Sequence, residues 1–147
     1  MRATFLLRRD HDELRRLFSR LRDQSGAESR LERFRELAAS LILHAQAEER
    51  FLYPALEDVG DGETERLLAE ARFEHARVED LVECLIGMDG RDSEFDRGVT
   101  QLDRLVLQHL REEEGRVFPL AERLIGARLE PLGHAIEQWR SRFEAAA

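Results

Sequence analysis

The chain has 147 residues, the size of a single domain with one sizeable core. Its formal net charge of −8 argues against a nucleic-acid partner, because proteins that bind phosphates need a basic face. Charged residues make up 37% of the chain and the mean hydropathy is −0.51. With sustained helical periodicity, this composition indicates long amphipathic helices rather than disorder.

The single cysteine argues against a disulfide-stabilised or cysteine-based zinc protein, and the short apolar N-terminus argues against a secreted or membrane-spanning one. Cys84 has no second cysteine to pair with, so we expect a small packing residue on the third helix rather than a disulfide or a cysteine zinc site. The apolar run 3–7, followed by Arg8 and Arg9, is too short for a signal peptide or a membrane span. We therefore expect a cytoplasmic protein with no membrane partner.

The apolar spacing predicts four long helices, over residues 2–23, 29–57, 63–88 and 93–124. Ser29 and Glu32 fit a capping box at the start of the second helix. Pro131 suits the first turn of a fifth helix over 129–145, and His134 falls off its apolar stripe, at the surface. The expected fold is all-α: one domain, 1–147, in which an up-down-up-down four-helix bundle carries a short C-terminal helix.

Each of the four long helices has a histidine inside its apolar stripe: His11, His44, His75 and His109. In the second and fourth helices a glutamate follows four residues later on the same face, Glu48 and Glu113 respectively. A buried carboxylate or imidazole loses its hydration, and a bound cation is the obvious partner that would compensate. Each His–Glu pair is therefore interpreted as half of a metal site.

The spacing of the four histidines predicts that they meet in one layer. In antiparallel neighbouring helices, two residues lie at the same height when the turn falls halfway between them. The three midpoints fall beside Ala27, at Val59–Gly60 and at Asp92, and each lies in a glycine-containing turn segment.

The two halves of the chain also resemble each other. Pro54 and Pro119 each follow a histidine by ten residues, so each marks either a kink beneath the site or the last turn of a helix. Tyr53 and Phe118 hold equivalent places before the prolines. A packing role is expected for both, with the hydroxyl of Tyr53 within reach of the metal layer as the alternative.

This pattern resembles the haemerythrin-like HHE cation-binding domain over nearly the whole chain, from Leu6 to the region of Pro119. The resemblance implies a non-haem di-iron centre inside a four-helix bundle, with manganese or zinc as alternative metals. It also implies an oxygen bridge between the irons, Glu48 and Glu113 as bridging carboxylates, and terminal ligands from His11, His44, His75 and His109. A ferritin-like site is excluded, because it needs a glutamate three residues before the histidine and those positions hold Arg8, Leu41, Arg72 and Val106.

The chain departs from the oxygen-carrying haemerythrins at two positions. Those proteins have a second histidine on the third helix, where this chain has Glu79, and an aspartate five residues after the fourth-helix histidine, where this chain has Glu113 at four. Two irons offer about twelve positions, and the implied ligands with one bridging oxygen fill about ten. About two stay open unless Glu79 binds metal; a salt bridge from Glu79 to an arginine is the alternative.

The other acidic residues beside the histidines are expected to lie outside the centre. Glu112 is a weaker ligand candidate than Glu79, and Glu49 and Glu114 should point away from their histidines. Asp10 and Asp12 flank His11 in sequence and are expected to be solvated, because adjacent residues point to different faces.

The leading functional hypothesis is a di-iron protein that binds or senses oxygen, nitric oxide or peroxide. The first alternative is an enzyme that removes peroxide or counters nitrosative stress, with Glu79 and Tyr53 as the residues that could act as acid or base. The second is an interaction module in which a structural metal reports iron or oxygen to a partner through bundle stability. The sequence does not predict a protein partner.

Overall fold

The computed structural model of the chain describes residues 1–146, which are helical apart from short connections and include no strand. Seven α-helices follow one another: α1 (Ala3–Asp23), α2 (Ala27–Ala47), α3 (Tyr53–Glu57), α4 (Gly62–Ile86), α5 (Ser93–Glu112), α6 (Phe118–Ile125) and α7 (Leu129–Ala146). Two π-helical turns, Glu48–Leu52 and Glu113–Val117, join α2 to α3 and α5 to α6. The turn Gly126–Arg128 leads into α7.

Four rods form the bundle: α1, α2 with α3, α4, and α5 with α6. The main packing partners are α1 with α2 and α4 with α5, so the bundle is built from two helical hairpins. Helix α7 lies against α1 and closes one side of the first hairpin. The predicted all-α bundle with a C-terminal fifth helix is confirmed.

The apolar core consists of two clusters that lie on either side of a polar layer. One contains Phe18, Phe34 and Phe95 among its buried residues, and the other contains Tyr53 and Phe118. The buried polar and charged side chains are Thr4, His11, His44, Glu48, Thr64, His75, His109 and Glu113. All but the two threonines belong to the residues predicted to bind metal.

Local chemistry sets the helix starts, in one case differently from the prediction. Helix α2 begins at Ala27, with Gly26 as its N-cap and no side-chain cap, so the predicted capping box at Ser29 and Glu32 is wrong. Gly26 has the extended backbone that an N-cap needs, which starts the helix two residues earlier. Helix α4 is capped by Asp61, whose carboxylate accepts a hydrogen bond from the Thr64 amide at 3.1 Å. On α4, Cys84 is exposed, so the expected packing role is wrong.

The π turns explain the two prolines. Pro54 has no N–H to give to the carbonyl four residues earlier, and its ring would collide with that carbonyl in a regular helix. Instead, the amide of Tyr53 bonds to the carbonyl of Glu48, five residues back, and the amide of Phe118 bonds in the same way to Glu113. Each proline therefore opens a short helix just after the extra residue of a π turn.

Candidate metal centre

Four imidazoles meet in two pairs at the centre of the bundle. The Nε2 atoms of His11 and His44 are 3.2 Å apart, and those of His75 and His109 are 3.0 Å apart. All four residues are at most 5% exposed. The structure thus brings the four predicted histidines into one layer, with one pair in each hairpin.

The two glutamates connect the pairs. Oε1 of Glu48 lies 3.0 Å from Nε2 of His44 and 3.4 Å from Nε2 of His75, in the other hairpin. Oε1 of Glu113 lies 2.7 Å from Nε2 of His109 and 3.7 Å from Nε2 of His11. Each carboxylate therefore faces both histidine pairs, as a bridging ligand must.

These contacts define two overlapping groups of buried donors that could each hold a cation. The ligating atoms in each group lie within 4.8 Å of one another. The groups are His11, His44, Glu48 and Glu113, and His75, His109, Glu48 and Glu113. Both glutamates belong to both groups, so the geometry offers two adjacent metal positions that share two carboxylates.

The outward-facing nitrogen of each histidine lies near a carboxylate from a neighbouring helix. The Nδ1–O distances are 2.9 Å for His44 and Asp10, 3.0 Å for His11 and Glu114, 3.1 Å for His75 and Glu49, and 3.4 Å for His109 and Glu74. At His11, His44 and His75 the carboxylate accepts the Nδ1 proton and so leaves the lone pair of a neutral ring on Nε2. Nδ1 of His109, at 3.4 Å from Glu74, makes no hydrogen bond within the described residues. The lone pairs then converge on the centre, as metal ligation requires.

The donor set fits a bound cation. Two neutral Nε2 atoms at about 3 Å repel each other unless a proton or metal ion lies beside them. Both carboxylate oxygens of Glu48 and Oε1 of Glu113 are buried and make no hydrogen bond of normal geometry among the described residues. Buried carboxylates without such partners are costly, and a metal ion would supply the compensation.

The pKa values show what holds the cluster together without metal. Burial alone would lower the pKa of His44, but the charge of Glu48 and the hydrogen bond to Asp10 raise it to about 10. The corresponding pKa values of His75 and His109 rise to about 9 and about 11 against the same effect of burial. Burial opposes ionisation of Glu48, yet the charge of His44 holds the pKa of Glu48 well below its usual range. Protons on the histidines thus occupy the role that a metal cation would take over.

Two aromatic rings stack on the centre from equivalent positions. Tyr53 stacks on His75 at a centroid distance of 5.7 Å, and Phe118 stacks on His11 at 5.2 Å. The Tyr53 hydroxyl donates to Oε2 of Glu113 at 3.3 Å, so this fully buried residue both packs and reaches the metal layer. Burial and the charges of Glu48 and Glu113 raise the pKa of Tyr53 well above its normal value, which keeps the proton on the hydroxyl.

The structure does not bring every candidate to the centre. Glu79 is exposed and belongs to neither donor group, so the structure does not support a ligand role for it. Glu112 is half-buried and also lies outside both groups. The alternative ion pair of Glu79 with an arginine is not formed within the described residues.

The acidic residues beside the ligands are closer to the centre than predicted. The expectation that Asp10 is solvated is wrong: its carboxylate contacts His44 on α2 and Arg140 on α7. Glu49 and Glu114 do point away from the histidines of their own helices, but each reaches a histidine of the other hairpin. The sequence repeat could have indicated these contacts. An acidic residue directly precedes His11 and His75, and another directly follows Glu48 and Glu113.

Comparison with known proteins agrees with this geometry. Residues 2–121 match the family model described as "Hemerythrin HHE cation binding domain". The chain belongs to this haemerythrin HHE family. A family member from Mycobacterium kansasii has a solved structure that superposes with a TM-score of 0.85 at 23% identity, covering 99% of this chain and 89% of that one. That likeness confirms the fold.

A longer protein is similar to nearly the whole of this chain. The chain is 29% identical over 142 residues to a DNA nickase of Nostoc sp. (strain PCC 7120), covering 96% of this chain but only 38% of the nickase. The present chain therefore spans well under half the length of that protein. Within residues 1–146, no helix combines the length and apolar character needed to cross a membrane.

Proposed function

We propose that this protein holds two iron ions and binds or senses a small ligand, with oxygen, nitric oxide and hydrogen peroxide as the candidate ligands. The observation that carries the proposal is the pair of overlapping donor groups that share Glu48 and Glu113. Each position combines two imidazoles with carboxylates, a mixture that suits iron and that manganese or zinc would also accept. The irons would supply electrons and open coordination positions for the ligand.

The protein residues provide burial and fixed orientation of the ligating side chains. Apolar side chains from both core clusters surround the layer, which keeps bulk water away from the donors. A cavity of about 90 Å³ lies on the outer side of His44, where Nδ1 contacts Asp10; it is lined by Asp10, Glu13, Leu14, Ser40, Leu43, His44 and Arg140.

Anaerobic reconstitution with ferrous iron, followed by exposure to air, tests the proposal. We expect two irons per chain and an absorption spectrum that changes on exposure to the ligand. His44→Ala should lose iron, whereas His134→Ala should keep it, because His134 is exposed and belongs to neither donor group. Fewer than one metal per chain after reconstitution contradicts the proposal.

A second candidate is an enzyme that consumes peroxide at the same centre. The specific observation in its favour is the Tyr53 hydroxyl, a buried proton donor 3.3 Å from a proposed bridging carboxylate. Tyr53→Phe should keep the iron content and lower the rate of peroxide consumption if the hydroxyl takes part in turnover. An unchanged rate in this variant, with normal iron content, counts against an enzymatic role for Tyr53.

We also propose that this chain does not bind nucleic acid. The net charge of −8 opposes binding to a phosphate backbone. Titration of a fluorescently labelled DNA duplex should leave its anisotropy unchanged at physiological salt. Saturable binding of the duplex would instead connect this chain to the activity named for its longer relative.

A further inference from the structure

Helix α7 reaches the metal layer through one arginine. Arg140 contacts both carboxylate oxygens of Asp10, with Nη1 3.0 Å from Oδ1 and Nη2 2.5 Å from Oδ2. Oδ2 of Asp10 in turn lies 2.9 Å from Nδ1 of His44. An unbroken path of charge-assisted hydrogen bonds therefore runs from the C-terminal helix to a proposed metal ligand.

The helix that carries Arg140 is firmly seated on the bundle. Leu129 and Ile136 are fully buried, and Trp139 packs edge-to-face against Phe51. Gly133 lies so close to the backbone of Met1 that a Cβ atom would not fit. Arg140 thus starts from a fixed backbone position. Helix α7 also lies beyond the residues matched by the family model, which ends at residue 121.

The second hairpin offers the same arrangement without an arginine. Glu74 precedes His75 as Asp10 precedes His11, and it faces His109 as Asp10 faces His44. The Glu74–His109 distance is 3.4 Å, and within the described residues no arginine forms an ion pair with Glu74. Glu74 instead lines an open groove of about 260 Å³ together with Glu112. The Asp10–His44 distance of 2.9 Å, where an arginine holds the carboxylate, is thus 0.5 Å shorter than the Glu74–His109 distance of 3.4 Å.

We propose that Arg140 is a positioning residue for the metal centre, which acts through Asp10 to fix the imidazole of His44. A two-point contact from a guanidinium holds the plane of a carboxylate as well as its position. The carboxylate then fixes the ring orientation and protonation of the histidine, which are the properties that a metal ligand needs. The inference rests on the proposed function only in that it treats His44 as a ligand.

The test follows the Nδ1 proton of His44 by NMR in protein labelled with ¹⁵N-histidine and loaded with Zn²⁺. Arg140→Gln should speed solvent exchange of this proton by about tenfold or more, since losing one charge-assisted hydrogen bond changes an opening equilibrium by that order. The Nδ1 proton of His109 should not change. Arg142→Gln, an exposed arginine on the same helix, is the matched control and should alter neither proton.

A double-mutant cycle separates positioning from a general effect on α7. In an Asp10→Asn background, Arg140→Gln should give no further acceleration, because the path already lacks its carboxylate charge. Arg140→Lys should restore protection in part, because lysine keeps the charge but not the two-point contact. Equal acceleration in both backgrounds, or equal changes at His44 and His109, would overturn the inference. Wild-type protein that takes up neither Fe²⁺ nor Zn²⁺ would contradict the proposed function, and the same exchange comparison in metal-free protein would still decide the role of Arg140.

Discussion

The two halves of the bundle agree in their inner residues and differ in their outer ones. The inner set repeats: a histidine pair, a glutamate in a π turn and a stacked aromatic ring occur in each half. Around the His11–His44 pair, both outer carboxylates are held by arginines: Arg140 contacts Asp10, and Arg15 contacts Glu114 at 3.0 and 2.9 Å. The comparison indicates that the two histidine pairs share one design but not one electrostatic environment.

The difference can be assigned to single positions. Arg15 lies four residues after His11, and the equivalent position four residues after His75 holds Glu79, which is exposed. The hydrogen bond from His75 is the main cause that lowers the pKa of Glu49, and the charge of Arg72 contributes less. The Arg72 guanidinium itself forms its ion pair with Glu57. Within the described residues, the outer carboxylates of the His75–His109 pair therefore lack the arginine ion pairs that hold those of the His11–His44 pair.

The largest expected effect tests what the halves share. Glu48→Ala and Glu113→Ala should each empty both metal positions, because each glutamate belongs to both donor groups. Metal content after reconstitution and desalting measures this, with the exposed residue change Glu28→Ala as control. If either variant retains one tightly bound metal, the carboxylates do not bridge and each half is an independent site.

Metal removal should reverse the dependence of stability on pH. In metal-free protein, the raised pKa values of His44, His75 and His109, about 10, 9 and 11, give stability that is fully present below the unfolded-state value of 6.5. That stability is lost as the pH rises through the folded-state values. The melting temperature of the metal-free protein should therefore fall between pH 7 and pH 10.

The metal-loaded protein should not show this loss, because metal ligands are already deprotonated and metal binding strengthens as protons become scarcer. Thermal melts of both forms across this pH range check the prediction. A metal-free protein that becomes more stable above pH 8 would show that protons on the histidines do not hold the cluster.

A smaller effect should distinguish the outer residues of the two halves. Asp10→Asn should lower metal affinity by about tenfold, the lower end of the range for residues that orient ligands. Glu74→Gln should cost less, because the Glu74–His109 contact is longer and lacks an arginine. Competition with a chelator measures both affinities, and equal losses would mean that the arginine contact adds nothing.

The smallest effect is expected at Glu79. Glu79→Gln should leave metal content unchanged and alter the free energy of unfolding by less than about 0.5 kcal/mol, as for other exposed positions. Arg15→Gln, the change at the equivalent position, should have a larger effect because it leaves Glu114 without its ion pair. Chemical denaturation and metal analysis check both variants, and loss of metal in Glu79→Gln would place this residue at the centre after all.

The sequence predicted the layer of histidines because helical periodicity and turn positions are local properties of the chain. His11, His44, His75 and His109 each interrupt an apolar stripe, and turn midpoints fix their relative heights. The helix starts were less accurate, since Gly26 and Ser29 compete as caps and only packing decides between them.

The outer contacts could not be predicted because they depend on which helices pack together. Asp10 was expected to be solvated from its position on its own helix, and its partners lie on α2 and α7. The sequence analysis also did not predict the first π turn, after which Leu52 is fully buried and its neighbour Phe51 only partly buried. Regular 3.6-residue spacing cannot report a single inserted residue without the hydrogen-bond pattern.

The extra residue of each π turn also changes which side chains face the core in the short helix that follows, α3 or α6. One residue corresponds to about 100° of rotation around a helix axis, so the segments after Glu48 and Glu113 are out of phase with those before them. Gly115 lies in the π turn between α5 and α6, with open space where a Cβ atom would be. Deleting it would bring the rod formed by α5 and α6 back into phase and rotate Val117 and Phe118 away from the interior. A design with both rods as uninterrupted α-helices would thus keep every proposed ligand. It would lose the aromatic packing of Tyr53 on His75 and of Phe118 on His11.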